Sequence, residues 1–255
     1  MSFTEADRPR SLAARRGAWA ALALTLLAAA CSSDTAPSSA AREIDGPDVA
    51  VGQGTAHTFV LEGGDGVSSV GVALAPSALD GLPTTDTEWA LPLPSGVSVP
   101  PWDHATLDWN AQGHPPAVYQ TPHFDFHFYA IDAATQASIQ GGPDTVTVPA
   151  ANVPQDYASG VMAVPDMGVH WVDTLAAEFR GEPFDHTLIY GFYRGSMVFV
   201  EPMVTRSFLA GRPDVTAPVK QPAAFARSGR YPTWYSVRTG TDGELRVALD
   251  SLRAR

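Results

Sequence analysis

The sequence predicts an α+β, strand-rich fold: an antiparallel sheet or barrel-like domain with one or two short helices. Three observations carry that prediction. Apolar residues make up 45% of the 255 positions, enough to bury a core. Glycine and proline, 22 of each, cut the chain into short pieces. Alternation with a period of two recurs along it, clearest at His123–Tyr129, whereas helical spacing is confined to one short stretch.

The first thirty residues read as an export address. An Arg-rich start ending at Arg15-Arg16 leads into the uncharged run Ala18–Ala30, which is shorter than the ~20 apolar positions of a spanning helix. That run ends in Ala28-Ala29-Ala30-Cys31, which resembles a bacterial lipobox, so Cys31 is expected to be acylated and to become the first residue. Ser32-Ser33-Asp34-Thr35-Ala36-Pro37 has the small, polar make-up of a tether. The expected organisation is a lipoprotein signal peptide over 1–30, a flexible tether over 31–44 and a single β-rich domain over 45–255. Its localisation would be the bacterial cell envelope, lipid-anchored and facing the periplasm or cell surface.

Within the domain, Thr55–Leu61 and Val67–Leu74 flank a Gly-rich turn and predict a hairpin. Residues 76–116 are rich in proline, which lacks the N–H that central strands need, and predict irregular backbone pinned by Trp89, Trp102 and Trp109. Pro122 starts a strand over His123–Tyr129. Thr145–Val148 predicts a short strand, and Asp173–Arg180 a short helix with Asp173 as N-cap and Gly181 as its end. Two more hairpins are predicted. One joins His186–Tyr193 to Ser196–Glu201 at Arg194-Gly195 and is closed by Pro202; the other joins Trp234–Arg238 to Glu244–Leu249.

Formal charge is −11, from 27 acidic and 16 basic residues, and the basic footprint that phosphate binding needs is missing. Nucleic acid is therefore not an expected partner. Cys31 is the only cysteine, which rules out an internal disulfide and a Cys-based zinc site. No Gly-x-Ser-x-Gly elbow and no Gly-rich phosphate loop occur.

Chemistry is concentrated at His123-Phe124-Asp125-Phe126-His127-Phe128-Tyr129. Alternation places three Phe on one face and His123, Asp125, His127 and Tyr129 on the other. At about 3.3 Å per residue His123 and His127 stand about 13 Å apart at Cα, too far for easy joint ligation. Pairs two apart, His123 with Asp125 or Asp125 with His127, suit one ion. His170 and Glu201 are further donors, with Glu201 on the face of Met197 and Phe199, and His114 in reach of the same area. A site drawn from His123, Asp125, His127, His170 and Glu201 would hold one divalent transition metal. Zinc is the foremost choice; manganese and iron accept the same donors. The alternative is a metal-free network of His–carboxylate hydrogen bonds, or a solvent-facing polar side of the sheet.

Pro122–Tyr129, Met167-Gly168-Val169-His170-Trp171 and Glu201-Pro202-Met203 resemble the signatures of an uncharacterised family of exported bacterial proteins, a domain of unknown function. Tyr231-Pro232-Thr233-Trp234-Tyr235 extends the resemblance over about residues 45–255. It implies an envelope setting and a metal or small-ligand pocket built on the His residues, with no assigned reaction. The expected function is a binding module of the cell envelope, membrane-attached through Cys31. One alternative is a metal-dependent hydrolase or lyase acting on a small polar substrate, with Asp125 or Glu201 as general base. The other is a metal-free structural or homo-oligomer-forming envelope protein.

Overall fold

A computed structural model of the chain describes residues 41–255. The expected signal peptide, the expected acylation site Cys31 and the expected tether up to residue 40 lie outside the described residues.

The chain enters through β1 (Arg42–Asp45), β2 (Val49–Val51), β3 (Gly54–Gly63) and β4 (Gly66–Leu74). β1 thus takes in residues 42–44, at the end of the segment expected as a tether. The chain then forms β5 (Thr87–Pro92), β6 (His104–Asn110) and β7 (His123–Tyr129). β8 (Gly142–Pro143) and β10 (Met162–Ala163) pair as a small ribbon, and β9 (Tyr157–Ser159) lies between them in the chain. Next come β11 (Val169–Asp173), β12 (His186–Tyr193) and β13 (Ser196–Thr205), then β14 (Asp214–Pro218) and β15 (Arg230–Tyr231). β16 (Trp234–Thr239), β17 (Leu245–Asp250) and β18 (Arg253–Ala254) complete the chain.

Two seven-stranded antiparallel sheets result. One runs β1-β3-β4-β17-β16-β14 with β2 also on β3, and the other runs β5-β6-β7-β13-β12-β11-β9. Val60, Val70, Val72, Val247 and Leu249 of the first share one apolar core with Leu107, Phe124, Phe126, Phe128 and Val200 of the second. The sheets therefore pack face to face as a sandwich.

This corrects the expected fold class. The strand-rich, antiparallel character is present, but the α+β assignment and the barrel-like alternative are overturned. An α+β fold needs helices long enough to cover a sheet, and the two α-helices, α1 (Ala133–Gln136) and α2 (Arg206–Ala210), are single turns. A barrel needs its edges to meet, and β5 and β9 end the second sheet without pairing to each other.

Local expectations divide in the same physical way. The hairpin turn at Arg194-Gly195 has positive φ at both residues (48° and 80°), which matches the twist of flanking strands. The hairpins β3–β4 and β16–β17 also form. Pro202 does not close its strand, because β13 runs on to Thr205 between β7 and β12. Asp173 ends strand β11 rather than capping a helix. Only Ala177–Arg180 turns helical, and it stops at Gly181 in the left-handed region. Leu175 and Phe179 remain exposed there, so no apolar face holds a longer helix. Thr145–Val148 forms no strand. The Asp144 carboxylate instead accepts from the Val146 and Arg194 backbone N–H groups at 3.0 and 2.6 Å. The proline-rich stretch is more regular than expected: it holds β5, an edge strand ending at Pro92, and β6. Trp102 and Trp109 pin it by donating to the carbonyls of Arg230 and Pro83.

Candidate metal centre

β7 is buried along its whole length, between β6 and β13. Phe124, Phe126 and Phe128 enter the shared core, and His123, Asp125, His127 and Tyr129 occupy the opposite face, as alternation requires. A solvent-facing reading of those residues is thereby overturned. Register adds neighbours on the same face: Asn110 stands beside His123, Asp108 beside Asp125 and Thr106 beside His127. Tyr119, Ile131, Ile139 and Phe184 form a second apolar cluster with Tyr129, Phe199 and Met203 of that face.

The donors gather into two groups rather than one. In the first, ligand atoms of His114, His123 and Asp125 lie within 4.8 Å of one another. His123 Nδ1 donates to the Thr121 carbonyl at 2.7 Å, and His114 Nδ1 to the Pro115 carbonyl at 2.8 Å. A carbonyl can only accept, so in each neutral ring Nε2 carries the lone pair. Both Nε2 atoms face Asp125, His123 Nε2 at 3.1 Å from Oδ1 and His114 Nε2 at 3.5 Å from Oδ2. Asn110 Nδ2 donates to Oδ2 at 2.7 Å and orients the carboxylate. Backbone-pinned imidazoles aimed at an oriented carboxylate could hold a metal ion.

The second group comprises His127, His170 and Glu201, again within 4.8 Å. Both Nε2 atoms stand 3.6 Å from Glu201 Oε2, and His127 Nδ1 lies 3.1 Å from Asp108 Oδ2. Phe199 packs against both rings, with centroids 4.7 Å from His127 and 5.2 Å from His170. It can lie there because residue 191, facing His170 across the strands, is glycine, and a Cβ would run into the Phe199 ring. Gly191→Ala is expected to cost about 1–3 kcal/mol through overpacking, read as a lower denaturation midpoint; an unchanged midpoint would show that Phe199 is free to move.

A β-bulge between Gly191 and Phe192 corrects the expected face of Met197. Met197 pairs with Phe192 and packs on the shared core, whereas Phe199 and Met203 belong to the second cluster, on the face that carries Glu201.

These side chains are left unusually short of partners. Among the described residues ten buried side-chain N or O atoms lack an aligned hydrogen bond, and eight belong to Thr106, Asp108, His123, Asp125, His127 and Glu201. The 3.1 Å approaches above are thus close but misaligned. Buried polar atoms in such a state are costly, and a cation between them removes the cost.

Burial would lower His114, but the adjacent Asp125 carboxylate raises it to about 9. Burial would likewise lower His127, yet Glu201 and Asp108 raise it to about 10. Burial pushes Glu201 up to about 8 against the pull of His127, and pushes His170 down to about 3, with His127 adding to it. Burial would raise Asp125, but His114 and His123 hold it below the usual carboxylate range.

With no cation bound, the folded chain therefore keeps protons on His114, His127 and Glu201 that the unfolded chain releases. Their stabilising effect is full below their unfolded values, 6.5 for the histidines and 4.5 for Glu201. It is lost as pH rises through about 9, 10 and 8 respectively. His170 acts oppositely, costing stability only as pH falls from 6.5 towards 3. Chelator-treated protein is expected to lose stability steadily from pH 6.5 to 10, followed by urea denaturation; a rising midpoint over that window would contradict the excess protons.

A cavity of about 490 Å³ opens onto both groups, reached by His114 and Asp125 of the first and by His170 of the second. Of the five residues expected to form one site, His123 and Asp125 come together, and His127, His170 and Glu201 come together elsewhere on the same face. Asp108 and Asn110 join them on that face, outside the residues that the sequence pattern singles out. Their signal was the alternation Thr106-Leu107-Asp108-Trp109-Asn110, hidden inside a stretch whose prolines suggested irregular backbone.

Among the described residues no helix is long and apolar enough to cross a membrane. No curated protein and no solved structure matches the chain. A family model described as TTHB210-like, hypothetical protein TTHB210, matches residues 63–109. That span runs from the last residue of β3 to Trp109 in β6, includes Asp108, and leaves out the motif at 122–129 and all six residues of the two donor groups. Over less than a fifth of its length, then, the chain is similar to an uncharacterised family of hypothetical proteins.

Proposed function

We propose that the chain is an exported lipoprotein, held at the cell envelope through an acylated Cys31, whose sandwich binds divalent transition metal. The donors are two triads on one sheet face, His114/His123/Asp125 and His127/His170/Glu201, and zinc suits their mixture of imidazole and carboxylate. One observation carries this reading: the buried polar atoms without aligned partners concentrate on that face, beside rings whose tautomers are set by backbone carbonyls. The export half rests on the leader sequence and the lipobox-like Ala28-Ala29-Ala30-Cys31.

Elemental analysis of the chain, purified without a His tag and dialysed against zinc, tests the reading. Two zinc ions per chain are expected, falling to one in His123→Ala and in His170→Ala and to none in the double variant. Background metal in the wild-type chain would overturn it. Metal-dependent hydrolysis is the second reading, favoured by the open cavity and by triads that leave coordination positions free.

A further inference from the structure

The cavity beside the triads is lined by side chains of two kinds. Asp108, Asn110, His114, Asp125 and His170 supply its polar groups. Met162, Val164, Met167, Val169, Val172 and Ile189 give it an apolar wall. The apolar wall continues outward, because Met162 and Val164 are 60% and 41% exposed and Val161 beside them is 54% exposed. Isolated exposed apolar residues are ordinary, but three within four positions at the mouth of a half-apolar cavity make a surface for an apolar body. A volume of about 490 Å³ lies in the range of small-molecule sites.

We propose that this cavity binds a medium-chain alkyl carboxylate, its head directed to the two triads and its chain along the apolar wall. The inference rests on the metal reading. Asp108 and Asp125 in the cavity lining would repel an anion by themselves, and bound cations would invert that preference. Both triads present a donor to the same space, which suits a head with two oxygens over one with a single hydroxyl. The apolar wall then selects for length, since each buried methylene tightens binding roughly three- to fourfold.

Calorimetric titration of octanoate, butyrate, 1-octanol and octylamine into the zinc-loaded chain tests this, with zinc content measured before and after. Octanoate is expected to bind about a hundredfold more tightly than butyrate, and 1-octanol not detectably. Met167→Glu, a half-buried wall position, is expected to keep its zinc and to weaken octanoate at least tenfold. Full zinc content with octanoate no tighter than butyrate, or with 1-octanol equal to octanoate, overturns the proposal and leaves the metal reading standing. Octylamine binding the chelated chain more tightly than octanoate binds the loaded one also overturns it. Zinc at background level overturns both.

Discussion

Zinc loading is expected to raise the unfolding free energy by about 4 kcal/mol for each ion held at a free concentration a thousandfold above its Kd. The physical source is the sheet face centred on β7, where His123 Nε2, both ring nitrogens of His127, and oxygens of Asp125, of Asp108 on β6 and of Glu201 on β13 are buried without aligned hydrogen bonds. In the bare chain part of that cost is met by protons on His114, His127 and Glu201. A cation displaces them, so zinc-dependent stabilisation should grow from pH 6 to pH 8, opposite to the trend of the chelated protein. Urea denaturation with zinc and with chelator at both pH values measures this. Coincident curves at pH 8 would mean that the face is a hydrogen-bonded network and not a metal centre.

Phe126→Ala is expected to destabilise the chain by about 3–5 kcal/mol, a large part of the stability of a typical domain. Phe126 is fully buried at the middle of β7, between Phe124 and Phe128 and opposite Leu107 of β6. Its ring belongs to the core shared by both sheets, so truncation leaves a cavity between two rigid layers that cannot collapse. The reverse side of the same strand carries His123, Asp125 and His127, so metal retention should weaken alongside stability. Val164→Ala, at an exposed position, serves as the control and should shift stability by less than about 0.5 kcal/mol. Equal effects of the two substitutions would show that the sheets do not share a tightly packed core.

Particular residues show where local chemistry sufficed. The alternation in His123–Tyr129 named a strand with an apolar and a polar face, because side chains on extended backbone point to opposite sides whatever surrounds them. Arg194-Gly195 located a tight hairpin turn, since few residue pairs accept positive φ twice in succession. Other residues were decided by partners distant in the chain. Asp173 is a good N-cap in isolation, yet β11 pairs with both β9 and β12 and holds it in a strand. Pro202 is a strand breaker in isolation, yet β13 continues past it between β7 and β12. The prolines around residues 92–101 concealed β6, and with it Asp108 and Asn110.

By itself, then, the sequence determined a β-rich chain and most of the side chains of the candidate site, because residue identity and period are local properties. Which donors meet was decided only by tertiary structure. Cross-strand register aligned Asp108 with Asp125 and set His170 opposite Gly191, and the bulge beside Gly191 left Phe199 facing the histidines. Register between strands far apart in the chain is set by packing of whole sheets, and no short-range pattern encodes it.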